Sequence, residues 1–274
     1  MTICQVDPPV PTRPDPAGRG ERPAGRSVGW YDRSEEGERV DGTAGGALVA
    51  VAGSAEVLTL PSLGEELLTP VERERAARFH RERNRLDFVA AHLLVRLCAA
   101  RLLGVPVTEP VLEQYCPDCG LSGHGVPALA GLPGVGLSLS HTEGVVAAAA
   151  GPAPVGVDVE LPGGRNGTAD LHERVLGGAE SALVAAHPDP DGAFLRQWVR
   201  KEAMIKIGRA SLDTLASVDL SALPLDPPGP GPALHRHEDL HLLDWTAPGS
   251  GALVAAVSTR PVRLLEADGL RARG

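Results

Sequence analysis

The sequence has no apolar run that approaches the length of a membrane span, which excludes a helical integral membrane protein. Met1-Thr2-Ile3-Cys4 leads into proline and charge instead of an apolar stretch. No signal peptide is therefore expected, and a cytoplasmic location is. An excess of positive charge is also missing. The formal net charge is −9, with a pI near 5.5, which argues against a nucleic-acid binder. Cysteines number four, Cys4, Cys98, Cys116 and Cys119, and in a cytoplasmic chain they are expected to be reduced. Lysine is almost absent. Of 26 basic residues only two are lysine, and both, Lys201 and Lys206, fall in one short segment. Lysine offers a compact point charge that can also give up a proton, which arginine effectively cannot.

What is present fits a soluble globular protein of one large domain or two small ones: 274 residues, 43% hydrophobic and 22% charged. Residues 1–46 hold 14 Gly and Pro, eight acids and six Arg with almost no apolar periodicity. That composition predicts a disordered tail. Six arginines, Arg73, Arg75, Arg78, Arg81, Arg83 and Arg85, crowd one segment of an otherwise acidic chain. They suit either a compact anionic ligand or acidic partner, or a solvated helix face paired with Glu72, Glu74 and Glu82.

Periodicity and turn chemistry give a coarse map. Ala47–Ala52 and Glu56–Leu60 read as strands. Thr69-Pro70-Val71-Glu72 has the form of a capping box with proline at the first helical position. A helical pattern then runs to Leu103 and stops at Gly104, with a break expected near Glu82–Leu86. Strands follow at Val135–Ser140, Val145–Ala150 and Val155–Glu160, the first two flanking a hairpin loop at His141–Gly144. Helices are expected around Gly178–Ala186 and Asp191–Ile207, a loop at Pro224–Pro232, and closing strands at His241–Trp245 and Ala252–Thr259. The order is segregated α+β, not a βαβ series. It divides into an N-terminal lobe at 47–151, a C-terminal lobe at 152–260 and a tail at 261–274.

Three segments could carry chemistry. In Gly156-Val157-Asp158-Val159-Glu160, residues two apart on a strand share a face, with Cα atoms about 7 Å apart. Asp158 and Glu160 then stand side by side, which suits a hard cation such as Mg²⁺ or the solvent face of an edge strand. In Trp198-Val199-Arg200-Lys201-Glu202-Ala203-Met204-Ile205-Lys206, helical spacing stacks residues 198, 202 and 206. This could equally be a surface Glu–Lys pair. In Ser138-Leu139-Ser140-His141, the histidine at a strand end could bind a phosphate or sit satisfied in a turn.

Taken together, (S/N)xSH, GxDxE and WxxKEAxxK, in that order, resemble the signature of the Sfp-type 4′-phosphopantetheinyl transferases. The resemblance runs from about Ala47 to Thr259. It includes Phe88-Val89-Ala90-Ala91-His92-Leu93-Leu94-Val95-Arg96 and the Cys116-Pro-Asp-Cys-Gly…His124-Gly125…Pro127 segment. It implies a pseudo-two-fold pair of α/β lobes, with antiparallel strands and a long helix in each, usually monomeric. It implies transfer of the 4′-phosphopantetheine arm of coenzyme A to a serine of an acyl-, polyketide- or peptidyl-carrier protein, in settings such as secondary metabolism and antibiotic biosynthesis. Asp158, Glu160 and Glu202 would ligate Mg²⁺. Glu202 and Lys206 would be catalytic, with Lys206 also on the pyrophosphate. His141, Arg75, Arg78, Arg83 and Arg85 would bind coenzyme A phosphates, and Glu180 would be a further acid near the metal. Two positions depart from the family pattern: Val126 where a basic residue is frequent, and Asp87 where Arg is frequent before Phe88. Three other readings are a zinc knuckle on Cys116, Cys119 and His124, whose fourth position holds Ala128, a catalytically degenerate scaffold, and a nuclease or phosphohydrolase using the same carboxylates, which does not account for the WxxKEAxxK spacing.

Overall fold

The computed structural model describes residues 45–115, 125–152, 154–163, 169–226, 229 and 231–271. The expectation for residues 1–46 falls outside this set up to position 44, as do Cys4, Cys116, Cys119 and His124.

Ten strands form two sheets. The first sheet contains β1 (Ala47–Gly53), β2 (Leu112–Tyr115), β3 (Val126–Leu129), β4 (Val135–Thr142), β5 (Val145–Pro152) and β10 (Val262–Leu264), in the order β10-β1-β5-β4-β3-β2. The second contains β6 (Val155–Glu160), β7 (Ala233–His237), β8 (Leu240–Thr246) and β9 (Leu253–Ser258), in the order β6-β9-β8-β7. All pairings are antiparallel except β1 with β10. Seven helices complete the described fold: α1 (Ser54–Leu58), α2 (Pro70–Ala77), α3 (Glu82–Leu103), α4 (Ala169–Val175), α5 (Gly178–Ala186), α6 (Pro190–Lys206) and α7 (Ala267–Arg271). The fold is therefore mixed α+β with antiparallel sheets, as the order of elements implied.

The alternation along the strands divides three apolar layers. Leu48 and Ala50 of β1 and Ala148 and Ala150 of β5 pack with α3. Leu242 of β8 and Ala255 and Val257 of β9 pack with α6. The opposite faces, Val49, Ala147 and Ala149 from one sheet and Val157, Trp245 and Ala256 from the other, meet between the sheets. Strand side chains point alternately to the two faces, so each strand can serve two layers.

Several expectations need correction. Glu56–Leu60 is not a strand: α1 occupies Ser54–Leu58, and Val57 and Leu60 are buried at a three-residue step. The helix break lies at residues 78–81, between α2 and α3, ahead of the expected place. β4 and β5 extend further than expected. They leave a two-residue turn, Glu143-Gly144, in which Gly144 takes φ +73°, so His141 belongs to β4. Residues 262–264 are not a tail. They add a strand beside β1, with Leu265 N–H donating to Val49 O at 2.7 Å. A three-residue strand is too short to leave a periodic signal.

The capping box at Thr69 and Glu72 is present, and Gly104 closes α3 in the left-handed conformation. Glu72 has a second task. Its carboxylate accepts from Arg96 Nη1 at 3.0 Å and Nη2 at 2.5 Å, locking α2 onto α3 in a buried ion pair.

Gly156 permits a close approach of strand and helix. A Cβ there would lie 2.1 Å from Ala203 O of α6, against backbone that cannot swing aside. Only glycine lets β6 and α6 lie this close. Gly156→Ala is therefore expected to cost at least about 2–3 kcal/mol by overpacking, read as a lower urea midpoint with unchanged m-value. Unchanged stability would show that α6 does not need this contact.

Candidate metal and phosphate site

The site forms where β4 of the first sheet meets β6, the edge strand of the second. Val155, Val157 and Val159 enter the core between the sheets, so Gly156, Asp158 and Glu160 turn the other way. Gly156 brings α6 against that face, and α6 contributes Glu202 and Lys206. Asp158 and Glu202 are only 5% and 3% exposed, which sets aside the solvent-face and surface-pair readings of both motifs.

β4 meets β6 with a row of hydroxyls. Ser138 Oγ accepts from Val157 N at 3.0 Å, and Ser140 Oγ donates to Asp158 Oδ1 at 2.7 Å. Thr142, two residues on, hydrogen-bonds the Glu160 side chain. Ser138, Ser140 and Thr142 share one face by strand alternation. The two serines belong to the Ser138–His141 motif without a role of their own there, and Thr142 lies outside it. The period-two spacing of the hydroxyls was the available signal.

Lys206 closes the junction. Its Nζ donates to Asp158 Oδ1 at 2.9 Å, Val157 O at 2.7 Å and Leu139 O at 3.3 Å, spanning both sheets. Asp158 Oδ2 remains buried without a hydrogen-bond partner among the described residues. An orphaned buried carboxylate oxygen is costly unless something else satisfies it.

The acids feel one another. Burial, reinforced by Asp158 and Glu160 and opposed by Lys206, pushes the Glu202 carboxyl up to about 7. Burial and the neighbouring Asp158 also raise Glu160, while Lys206 and Thr142 pull it down. Among the described residues, no group of three or more His, Cys, Asp or Glu side chains stands close enough to hold a metal ion as placed. The donor set nevertheless fits a hard divalent cation. One buried oxygen lacks a partner, two neighbouring carboxyls resist ionisation, and all are oxygen ligands of the kind Mg²⁺ takes.

Cationic groups approach the same region. Burial lowers the His141 pKa, Asp87 opposes that, and Lys206 and Arg75 lower it further. The last two effects place Lys206 and Arg75 within electrostatic reach of the ring. Arg75 also stands over the Phe88 ring, 5.5 Å from its centroid. The other arginines are engaged elsewhere. Arg78 bonds Glu74 at 2.6 Å in solvent, and Arg83 pairs with Glu143 beside the β4–β5 turn. Arg85 bonds Glu82 and Glu65, each at 2.8 Å.

Glu180 is not near the metal ligands in role. It is fully buried, accepting from Lys201 Nζ at 2.6 Å, Gly177 N at 2.8 Å and Leu220 N at 3.0 Å. Lys201 is consumed in the same contact and also donates to Val175 O and Leu215 O. The pair holds α4, α5 and the loop after α6 together, so its chemistry is structural.

Residues 154–257 match the family model described as ACPS, the 4′-phosphopantetheinyl transferase superfamily. That segment contains Asp158, Glu160, Glu202 and Lys206, so the family resemblance is borne out over the second sheet and α6. No curated protein matches the chain.

Glu202 gives a test of the buried acids that does not depend on activity. Its ordinary value of 4.5 applies to the unfolded chain, against about 7 when folded. The folded state therefore holds the proton more tightly. The favourable contribution is complete below 4.5 and is lost as pH rises through about 7. Buried His92, pushed down to about 4, acts in the opposite sense, so a difference must be read. In chelator, the stability of E202Q minus wild type should grow between pH 4.5 and 7 and level off above. Adding Mg²⁺ should raise the wild-type Tm and leave that of E202Q nearly unmoved. A flat difference would place Glu202 in ordinary solvent.

Proposed function

We propose that this protein transfers 4′-phosphopantetheine from coenzyme A to a serine of an apo acyl- or peptidyl-carrier protein, releasing 3′,5′-ADP. The observation that carries this reading is the β4–β6 junction, where Lys206 and Ser140 bond Asp158, whose second oxygen is buried without a partner among the described residues, and Glu202 and Glu160 stand within electrostatic reach. Acids that favour a cation lie near groups able to donate to an anion, which is what a metal-bound pyrophosphate supplies. The family match over residues 154–257 supports the same chemistry. The reading extends to an Sfp-type enzyme, a monomer, whose two sheets and their long helices form a pseudo-two-fold pair.

In this reading Asp158, Glu160 and Glu202 hold Mg²⁺, which when bound offsets the charge of the pyrophosphate. The carrier serine Oγ attacks the phosphorus bearing the pantetheine arm. The Oγ–P bond forms as the bond from that phosphorus to the bridging oxygen breaks, and the bridging oxygen leaves with 3′,5′-ADP. Glu202 accepts the serine proton, directly or through a water. Lys206 supplies positive charge to the pyrophosphate and a proton to the departing group. Its three donors are already engaged, so one must be released to do so. His141, kept neutral by burial, contributes an N–H to a phosphate oxygen.

The four arginines are not equivalent for the 3′-phosphate. Arg75 lies nearest in effect to His141. Arg78 and Arg83 are in exposed pairs, which exchange at little cost. Arg85 is held by two glutamates. Arg75→Ala should raise the KM for coenzyme A about tenfold, the loss of one charged hydrogen bond, whereas Arg85→Ala should change it by less than about twofold. The reverse ranking would move the 3′-phosphate to the Arg85 side.

The central experiment incubates the protein with coenzyme A, Mg²⁺ and a panel of apo-carrier proteins, and reads a mass gain of one phosphopantetheine. Asp158→Ala should lower the rate by at least about 10²–10³-fold, comparable to losing a main electrostatic stabiliser, with the fold intact by circular dichroism. Absence of any mass gain from the folded wild-type protein removes the proposal.

A further inference from the structure

Asp87 occupies the helix position before Phe88, and its carboxylate is 4% exposed. Its oxygens are held by neutral donors. Ser54 Oγ donates to Asp87 Oδ1 at 2.5 Å, and Gly144 N–H donates to Oδ1 and Oδ2 at 3.2 and 3.3 Å. Ser54 N–H in turn donates to Gly144 O at 2.9 Å. Both backbone polar groups of Gly144 are thus bound by one compact cluster, made from the start of α1 and the first half of α3. Gly144 lies in the two-residue turn after β4, in the left-handed conformation at φ +73°. His141 is three residues before it on the same hairpin. Arg83 holds the tip from outside through Glu143.

We infer that Asp87 is a positioning residue for His141, acting through the Glu143-Gly144 turn. This rests on the proposed coenzyme A reading insofar as His141 contacts phosphate. The physical basis is specific. A two-residue turn with one left-handed glycine fixes hairpin register only while its backbone groups stay bound. A carboxylate accepting from both the turn amide and Ser54 ties that turn to the rigid, buried helix α3. The next residue of α3, Phe88, has Arg75 over its ring. A displacement of about 1 Å at a binding group can cost on the order of 10²-fold, so the tie has kinetic consequences although Asp87 touches no ligand.

The test combines Asp87→Ala, Asp87→Asn and Ser54→Ala with His141→Ala. Asn can still accept from Gly144 N–H and meet the Ser54 hydroxyl, so D87N should keep a KM for coenzyme A near wild type. D87A should raise it about tenfold or more with kcat within about threefold. S54A, which leaves the Gly144 bonds in place, should shift KM the same way by less, and it serves if D87A does not fold. In the H141A background, D87A should add less than about twofold, because both act through one ring. An unchanged KM with kcat falling in step with the folded fraction would mean a purely structural role and overturn the inference. So would a full D87A effect without His141, or equal losses in D87N and D87A.

Amide exchange at Gly144 and the His141 ring resonances separate this from failure of the parent reading. If no carrier is modified, faster Gly144 exchange with shifted His141 resonances in D87A, and neither change in D87N, still upholds the tie. Resonances and exchange unchanged in D87A sink it whether or not the transferase reading stands.

Discussion

Where Gly156 runs under Ala203, strand and helix touch backbone to backbone, with no room for a methyl group. That contact fixes the height of α6 above β6, and the rest of the site follows from it. With residue 203 seated on residue 156, the neighbouring Glu202 and the next-turn Lys206 fall beside Asp158, one pleat further along β6. A bulkier residue would lift the helix and open the distance between the two motifs, however well each was kept. The glycine of the strand motif and the alanine of the helix motif are therefore parts of one device, which brings Lys206 onto Asp158 and Glu202 within electrostatic reach of both strand acids.

Bringing them together creates a charge problem that the chain handles with its two lysines. Each Nζ meets three acceptors. Lys206 bonds Asp158, Val157 O and Leu139 O, and Lys201 bonds Glu180, Val175 O and Leu215 O. Two backbone carbonyls and one carboxylate around a compact ammonium match its three rotatable donors. A planar guanidinium could not serve three converging acceptors in so narrow a space. Arginine is used where a planar fork fits, as in Arg96 on Glu72 and in Arg196 and Arg200 on Asp244. The scarcity of lysine in this arginine-rich sequence thus has a geometric reason at both positions. Only one of the two is catalytic in prospect. Lys201 is saturated and fully buried, whereas Lys206 sits beside an acid with an unsatisfied oxygen.

Much of the second sheet could be read from sequence because its signals are local. Strand alternation in Gly156–Glu160 sent the valines inward and the acids outward, and the i, i+4, i+8 spacing of Trp198, Glu202 and Lys206 described one helix face. The capping box at Thr69 and the glycine stop at 104 were equally local. What could not be read depended on distant partners. β2, β3 and β10 are three or four residues long and exist because a neighbouring strand completes them. Glu180 looked like a site acid because nothing nearby in sequence says that Lys201 will neutralise it. The four arginines share one segment, yet their surroundings diverge: Arg78, Arg83 and Arg85 pair with Glu74, Glu143, Glu82 and Glu65, and Arg75 stands over Phe88. Ser138, Ser140 and Thr142 gave a visible period of two, but its meaning required knowing that β4 lies against β6.

The two departures from the family pattern now carry different weights. Val126 opens β3 with its side chain more than half exposed, and no basic group replaces it on that strand. Asp87 adds a negative charge where the family often has a positive one; its carboxylate is held by Ser54 and Gly144, and its charge opposes the lowering of the His141 pKa. The positive field of the site accordingly comes from three separate elements: Arg75 on α2, Lys206 on α6 and, as a neutral donor, His141 on β4. An anion held in this way gains less from any single residue than from the frame that keeps the three in register. That frame is the α2–α3 lock of Glu72 and Arg96, the Asp87 tie to the hairpin, and the close contact at Gly156. Removing a buried pair member such as Arg96 leaves an uncompensated charge inside the protein. The frame is therefore more expensive to disturb than any one of the surface arginines it presents.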